Sequence, residues 1–476
     1  MIAEFRLLLR SRLVALSLLG AFAASALSLW LGWSTIAAQH RQIETAVSLQ
    51  QARHAEAIAR LAETPKDAGS VAYETFHVVV DRPGPLAWLA IGDRAVRPAA
   101  QRVRMLGLEA QINDGEAHNP ERAAAGAFDF AFVVVFLLPL LCIGLNHDLA
   151  TGDREQGRGG LLASLVVSPW RFWIRRVFVR YVAACAAVLL PLLLFAALLS
   201  AWRFEIAIVA GAVLVHAAIW TCVCAWISLR WRLRASAANA MRMLALWAVV
   251  LLVLPAFGGA AIALHAPMPQ AGEIALTHRK AVNDAWDLPK SATFEQFFRW
   301  HPEWRDTPPV LTRFHWKWYY AFHHVADRRV AGEVAQAEAA MRRRDAHAAV
   351  AGIALPPVAM QRLLDDVADN GAESLLAHRA AVRAFHDRLR AYFYPYIFEE
   401  RPFGARDFAA MPRPIEARSA PRPSPLPWLG LIAWLILACA ALMREATAPS
   451  FSGRERGGLR FLRRRGETAQ DAGGRV

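Results

Sequence analysis

The chain has 476 residues, of which 56% are hydrophobic, with 54 Lys and Arg against 40 Asp and Glu, a formal charge of +14 and a pI near 10.3. The basic excess points to a membrane surface rather than to nucleic acid, because the arginines border apolar segments.

Residues 1–12 form a short amphipathic helix. Ile2, Phe5, Leu8 and Leu9 face one way, and Glu4, Arg6 and Arg10 the other, as in an interfacial segment. Six apolar stretches follow, each about as long as a helix that crosses a bilayer core of roughly 30 Å. The first occupies 13–33. Its apolar run continues past Ala24-Ser25-Ala26 to Trp33, which favours a retained anchor over a cleaved signal peptide. Residues 34–127 are expected outside the cytoplasm. They read as a helix to about Glu63, on Ile43, Val47, Ile58 and Leu61, and as a strand at Phe76–Val80 stopped by Pro83-Gly84-Pro85.

The second span is 128–145, followed by a loop at 146–176. The third and fourth are 177–200 and 206–229. A short basic loop, 230–242, leads into the fifth span, 243–264. Pro139, Pro191 and Pro255 fall within spans and are candidate kinks. All five cysteines, Cys142, Cys185, Cys222, Cys224 and Cys439, also fall within spans, as small apolar side chains would. Cys222 and Cys224 are two apart and face different ways.

Residues 265–425 are long enough for a folded domain of their own. Aromatics from Trp286 to Phe322 supply a core. Three helices follow: one on Val330, Val334, Ala337 and Met341, a second starting at Pro357 and stopped by Asn370-Gly371, and a third on Leu375 to Phe393, ended by Pro395. His323 and Asp327, four apart, can share a helix face. Arg342-Arg343-Arg344 reads as a solvated face. A linker, Pro412 to Pro427, enters the sixth span at 426–443, and 444–476 is a basic tail.

Arginine marks every second connection: Arg6, Arg10 and Arg12; Arg154 to Arg176; Arg230 to Arg242; and Arg454 to Arg465. The positive-inside rule then puts both termini in the cytoplasm. The fold expected is all-α, a polytopic protein with six spans and two mainly helical extracytoplasmic regions. Lysine occurs only as Lys66, Lys280, Lys290 and Lys317. None follows a glycine, so no Gly-Lys-Ser/Thr phosphate loop exists. His-Glu-x-x-His and Gly-x-Ser-x-Gly are missing too. No catalytic residue, cofactor or metal is expected, and no nucleic-acid partner.

One segment stands out. The second span enters Asp153-Arg154-Glu155-Gln156-Gly157-Arg158, which reads as a charged cytoplasmic helix able to dock a soluble partner; a solvated charged turn that merely fixes topology is the plainer expectation. Here the chain resembles the permease subunits of type-2 ABC transporters, which carry Glu-Arg-Glu-x-Gly-Thr just after the second span. It is similar to the subgroup with a large extracytoplasmic domain between the last two spans, related to permeases of nitrous-oxide-reductase maturation. Further matches are Pro85-Leu86-Ala87, Gly92-Asp93-Arg94, Asn119-Pro120-Glu121, Trp318 to Phe322 with Asp327, and Phe385-His386 with Leu389-Arg390 and Pro395. Asp153 replaces the usual first Glu. Gly159-Gly160 stand where the family tends to carry helix formers.

The resemblance implies a permease in a bacterial inner membrane. It would work with a separate ABC ATPase subunit, a second permease (a copy or a sister chain) and membrane lipid. Asp153, Arg154, Glu155 and Gly157 would couple to the ATPase. Two polar residues within spans, Asp129 at the mouth of the second and His216 in the fourth, are candidates for the transport path. A water-facing Asp129 and a His216 hydrogen-bonded to a neighbouring Ser or Thr are the plainer expectations. The rival function is a non-transporting module that transmits ATPase strokes to an envelope partner or assists its assembly.

Overall fold

The computed structural model describes residues 2–113, 127–158, 161–162, 165–230, 235–415 and 424–447. Asn119-Pro120-Glu121, Gly159-Gly160 and the basic tail from 448 onward lie outside the described residues. The described chain is overwhelmingly helical, with strands of only two to four residues. Six helices are long and apolar enough to cross a membrane: Arg12–Glu63, Phe130–Glu155, Pro169–Leu198, Phe204–Arg230, Ser236–His265 and Leu426–Thr447. Each covers most of one expected span; the second begins two residues later than expected and the third ends two residues earlier. The chain divides into two compact units, one of Met1–Ala26, Val133–Leu254 and Trp428–Val476, the other of Leu27–Phe132 and Pro255–Pro427.

The first unit begins with α1 (Ile2–Arg10) and the start of α2 (Arg12–Glu63). The second span continues through a π turn (Val133–Leu137) into α5 (Leu138–Asn146) and the short α6 (Thr151–Glu155). Then come α7 (Pro169–Leu198), α8 (Phe204–Arg230), α9 (Ser236–Ala248) and a second π turn (Val249–Val253); the helix that follows, α10 (Leu254–His265), belongs from Pro255 onward to the second unit. Two of the three expected kinks have a definite form. A proline clashes with the carbonyl four residues earlier and leaves it without a donor. For Pro139 and Pro255 those carbonyls belong to Val135 and Leu251, each inside a π turn, whose wider ring makes room. Pro191 instead lies within the uninterrupted α7.

Helix α8 is the hub of this unit. Ala212, Val213, Ala217 and Ala225 are fully buried, and small residues let neighbouring helices approach. Polar groups pin the same seam. Ser228 Oγ donates to Asn146 O at 2.8 Å, and Asn239 Nδ2 donates to His147 O at 2.9 Å and to Ser228 Oγ at 3.0 Å. Cys142, Cys185 and Cys224 are buried as expected. Cys222 and Cys439 are half-buried, with sulfurs 3.8 Å apart. Cys222 and Cys224 pack into different clusters.

The second unit joins both regions expected outside the spans. From the first come the rest of α2, β1 (Lys66–Asp67), α3 (Ala68–Glu74), β2 (His77–Val80), β3 (Ala100–Val103) and α4 (Leu108–Asn113). From the second come α11 (Ala271–Asp287), α12 (Lys290–Trp300), α13 (Trp316–Ala354), α14 (Pro356–Val367), α15 (Ala372–Phe398), β4 (Pro402–Phe403) and α16 (Ala405–Ala409). The last span, Leu426–Thr447, is α17. One core holds Leu61, Val71 and Val103 together with Phe297, Tyr320, Phe385, Phe393 and Phe398. β1 pairs antiparallel with β4, β2 with β3, and Tyr320 Oη donates to Gly69 O at 2.8 Å. The 265–425 region therefore does not close a core by itself: its aromatic faces are finished by the earlier segment.

The α15 helix also runs through Pro395 rather than ending there. Ile397 and Phe398 beyond the proline are buried in the core, so packing retains the last turn.

Candidate functional site

Asp153-Arg154-Glu155-Gln156-Gly157-Arg158 forms a closed turn at the end of α6. Gly157 has φ +68°, a left-handed conformation that favours glycine. Its N–H bonds Arg154 O at 3.1 Å, and Arg158 N–H bonds Asp153 O at 2.8 Å. That pair of bonds is a Schellman cap, which satisfies carbonyls left over at a helix end. The spacing from Asp153 to Gly157 therefore has a local cause: four residues from the last-turn carbonyl to the left-handed stop.

The two acidic side chains hold the turn from opposite sides. Asp153, buried, accepts from Arg158 Nη2 at 2.9 Å and from Arg176 Nη1 of α7 at 2.5 Å. Arg176 also pairs with Glu4 of α1 at 3.6 Å, and Arg180 with Asp148 at 3.2 Å. Glu155 is exposed, yet it accepts from the Ser236 backbone N–H at 2.5 Å and from Ser236 Oγ at 2.8 Å. Ser236 is the first residue of α9, whose leading N–H groups lack helical partners. Glu155 thus caps the helix that starts the fifth span. Thr151 Oγ1 lies 2.9 Å from the same Ser236 hydroxyl. The turn is clasped to α7 through Asp153 and to α9 through Glu155. Gln156, Gly157 and Arg158 remain on its exposed side.

The two candidates for a path differ from their plainer expectations. Asp129 is buried rather than water-facing; it accepts from Ile91 N at 2.8 Å and from Phe132 N at 2.9 Å, capping the start of the second span. His216 is fully buried in α8, and among the described residues neither ring nitrogen makes the expected bond to Ser or Thr.

In the second unit, the resembling motifs converge on buried polar nodes. Asp327 accepts from the Leu108 and Glu109 N–H groups at 2.9 and 3.0 Å, from His278 Nε2 at 3.0 Å, and from Arg390 Nη2. The expected His323 contact is not formed; His278 of α11 takes that place. Burial alone would raise the Asp327 carboxyl, but Arg390 and His278 hold it well below the usual range. Burial pushes His323 and His386 down to about 3 and His324 to about 2, so these rings are neutral. A carboxylate offers about four lone-pair positions. Asp327 has four donors, so it serves as a pin with no capacity left for a metal or a proton relay.

Beside it, Glu109 takes a two-pronged bond from Arg383, at 2.7 and 3.2 Å. A second node centres on Arg94, 2% exposed, which donates to Asn370 Oδ1 at 2.7 Å, Asp81 O at 3.0 Å and Asp81 Oδ1 at 3.2 Å. Of the Arg342–Arg344 run, Arg342 pairs with Glu338 at 3.9 Å and Arg344 Nε donates to Ala266 O at 2.8 Å, so the face is partly engaged. Among the described residues, no group of three or more His, Cys, Asp or Glu could hold a metal.

Sequence reasoning missed His278, Glu109, Asn370 and Ser236. Three are ordinary residues in helices and Asn370 was read only as a helix stop; each partner lies 49 to 276 positions away. Gly107 carried a usable signal. A Cβ there would stand 2.3 Å from the His278 ring, so only glycine fits against that side chain.

A family described as a domain of unknown function, DUF3526, matches residues 272–413, from the start of α11 to just past α16. No curated protein and no solved structure matches the chain.

Proposed function

We propose that this chain is the membrane-spanning permease subunit of a type-2 ABC transporter, moving a substrate across a bacterial inner membrane with ATP hydrolysed by a separate subunit. The observation that carries the reading is the clasped turn after the second span. A push on its exposed side would reach α7 through Asp153–Arg176 and α9 through Glu155–Ser236. A rigid link from a docking surface to two spans is what coupling requires. Asp153, Glu155 and Gly157 then shape the coupling element, and Gln156 and Arg158 face the ATPase. The termini and this turn are cytoplasmic, and the second unit is extracytoplasmic. A second permease completes the pathway, with Asp129 and His216 its candidate polar groups.

The unbroken course of α2 favours a second reading, in which ATPase strokes work the extracytoplasmic unit on an envelope partner. One helix of 52 residues supplies both an apolar span and Leu61 of the second core.

The test combines sidedness and hydrolysis. On a cysteine-free background, a cysteine at position 156 should be labelled only from the cytoplasm and one at position 343 only from outside. The chain purified alone should hydrolyse no ATP. With its ATPase, Gln156→Arg should abolish stimulated hydrolysis at normal membrane abundance. Labelling of both positions from the same side, or stimulation unchanged by Gln156→Arg, would overturn the reading.

A further inference from the structure

The outer half of α2 packs beside the β2–β3 sheet and leaves a cavity of about 460 Å³. Ala46, Gln50, Arg53, Ala57 and Arg60 line it at spacings of three and four, one face of the helix. Its charges are Arg53, Arg60, Lys66 and Arg102 against Glu56 and Glu74. Lys66 and Glu74 pair at 3.8 Å. Four cations against two carboxylates leave two positive charges around one cavity. Among the described residues, Arg53, Arg60 and Arg102 make no ion pair; Arg102 instead lies over the Phe76 ring at 4.3 Å.

The remaining wall is apolar, with Leu49, Val71, Phe76 and Phe408. Leu49 is 54% exposed, an uncovered leucine at a charged site. His54 stands between this cavity and a neighbouring one of about 510 Å³ and lines both. Edge contacts with Phe408 and His77, at 5.3 and 5.8 Å, hold its ring. Its Nε2 is buried and has no hydrogen bond among the described residues. A buried polar atom without a partner is costly, and a bound polar group would relieve it.

We propose that this cavity binds a phosphate monoester attached to an apolar body. The phosphate sits among Arg53, Arg60 and Arg102, within reach of His54, and the apolar body lies against Leu49, Val71 and Phe408. Arginine forks match phosphate oxygens two at a time. A monoester carries about −1.5 to −2 charges near neutral pH, which balances the excess of two. A carboxylate would leave one cation uncompensated. The site concerns the second unit and stands whether or not the chain is a permease.

The test uses the delipidated full-length protein and calorimetric titration with two probes, inorganic phosphate and dihexanoyl phosphatidic acid. Dihexanoyl phosphatidylcholine serves as the zwitterionic control. The phosphatidic acid should bind one per chain, more weakly as salt rises. The double variant Arg53→Gln/Arg60→Gln should weaken it at least about tenfold, as loss of two charge-assisted contacts implies, and Arg102→Gln should weaken it less. Both altered helix positions are exposed, so the melting temperature should hold. Arg343→Gln, outside the cavity, should bind like wild type. Tighter binding of phosphatidic acid than of phosphate supports the apolar body; equal binding of the two would show a site for soluble phosphate alone and overturn the proposal. No saturable binding of either probe, equal binding of phosphatidylcholine, or wild-type affinity in the double variant would overturn the proposal.

Discussion

Two Asp–Arg clusters, one in each unit, use the same chemistry to different ends. At Asp153, the carboxylate side chain is 8% exposed but its partner Arg158 is 55% exposed, and the other acid of the turn, Glu155, is open to solvent. At Asp327, both the carboxylate and Arg390 are buried, and backbone N–H groups complete the set. A pair in contact with water contributes little to stability and can rearrange cheaply. A buried, saturated pair is locked, because losing one partner strands the other. The comparison leaves the outer side of the turn, with Arg158 and Glu155, open to a partner, while its link to α7 through Asp153 and Arg176 stays mostly buried; in the second unit's core nothing of the node is open.

The widest gap between the two should appear on removing each aspartate. Asp327→Ala strands Arg390 and should cost about 3–5 kcal/mol, seen as loss of protease resistance in the second unit. Asp153→Ala should leave a folded protein whose turn is loosened. Comparable losses in both would erase the distinction. The pH response follows the same line. The Asp327 pKa is depressed in the fold, so its contribution is complete above the unfolded value near 3.9 and is lost only as pH falls below it. Thermal melts should therefore show this node intact at neutral and mildly acid pH.

Gly107→Ala should come next, at about 1–3 kcal/mol for forcing a methyl into the His278 ring. Chemical denaturation would measure it, and a neutral result would mean that His278 swings away freely.

Asp365 sharpens the comparison from the other direction. Burial, with Asp129, Asp366 and Asp93 nearby, raises its pKa to about 7 despite a hydrogen bond from Gln361. The folded state then binds a proton that the unfolded chain has lost between about pH 4 and 7, so stability falls as pH rises through that window. Asp365→Asn should raise the melting temperature at pH 8 and change it little at pH 4. An equal shift at both would remove the charge explanation. The smallest effect belongs to Gly157→Ala, about 1 kcal/mol for a left-handed residue with open space around it. Its melting temperature should barely move while stimulated hydrolysis drops.

The six long apolar helices, the short helix at the N-terminus, the helix to Glu63 and the strand near Val80 were legible because periodicity and length are local properties. The shared core was not, since nothing in residues 34–113 announces that Leu61 and Val71 will cover Phe297 and Phe393. Pro395 misled for the same reason: its local rule stops a helix, and the burial of Ile397 and Phe398 overrides it. At the turn, the acidic residues and Gly157 stood out in sequence as a docking motif. Their partners, Arg176 and Ser236, sit on other spans and gave no signal.

The most direct test of the coupling claim is photo-crosslinking in intact cells from an unnatural residue placed at Gln156, on the exposed side of the turn. The account predicts a crosslinked product with a nucleotide-binding ATPase subunit, reduced when Gly157→Ala is added. A probe at Arg343 should give none. Absence of any ATPase adduct at position 156 while the protein stays abundant in the membrane, or an equal adduct from position 343, would contradict it.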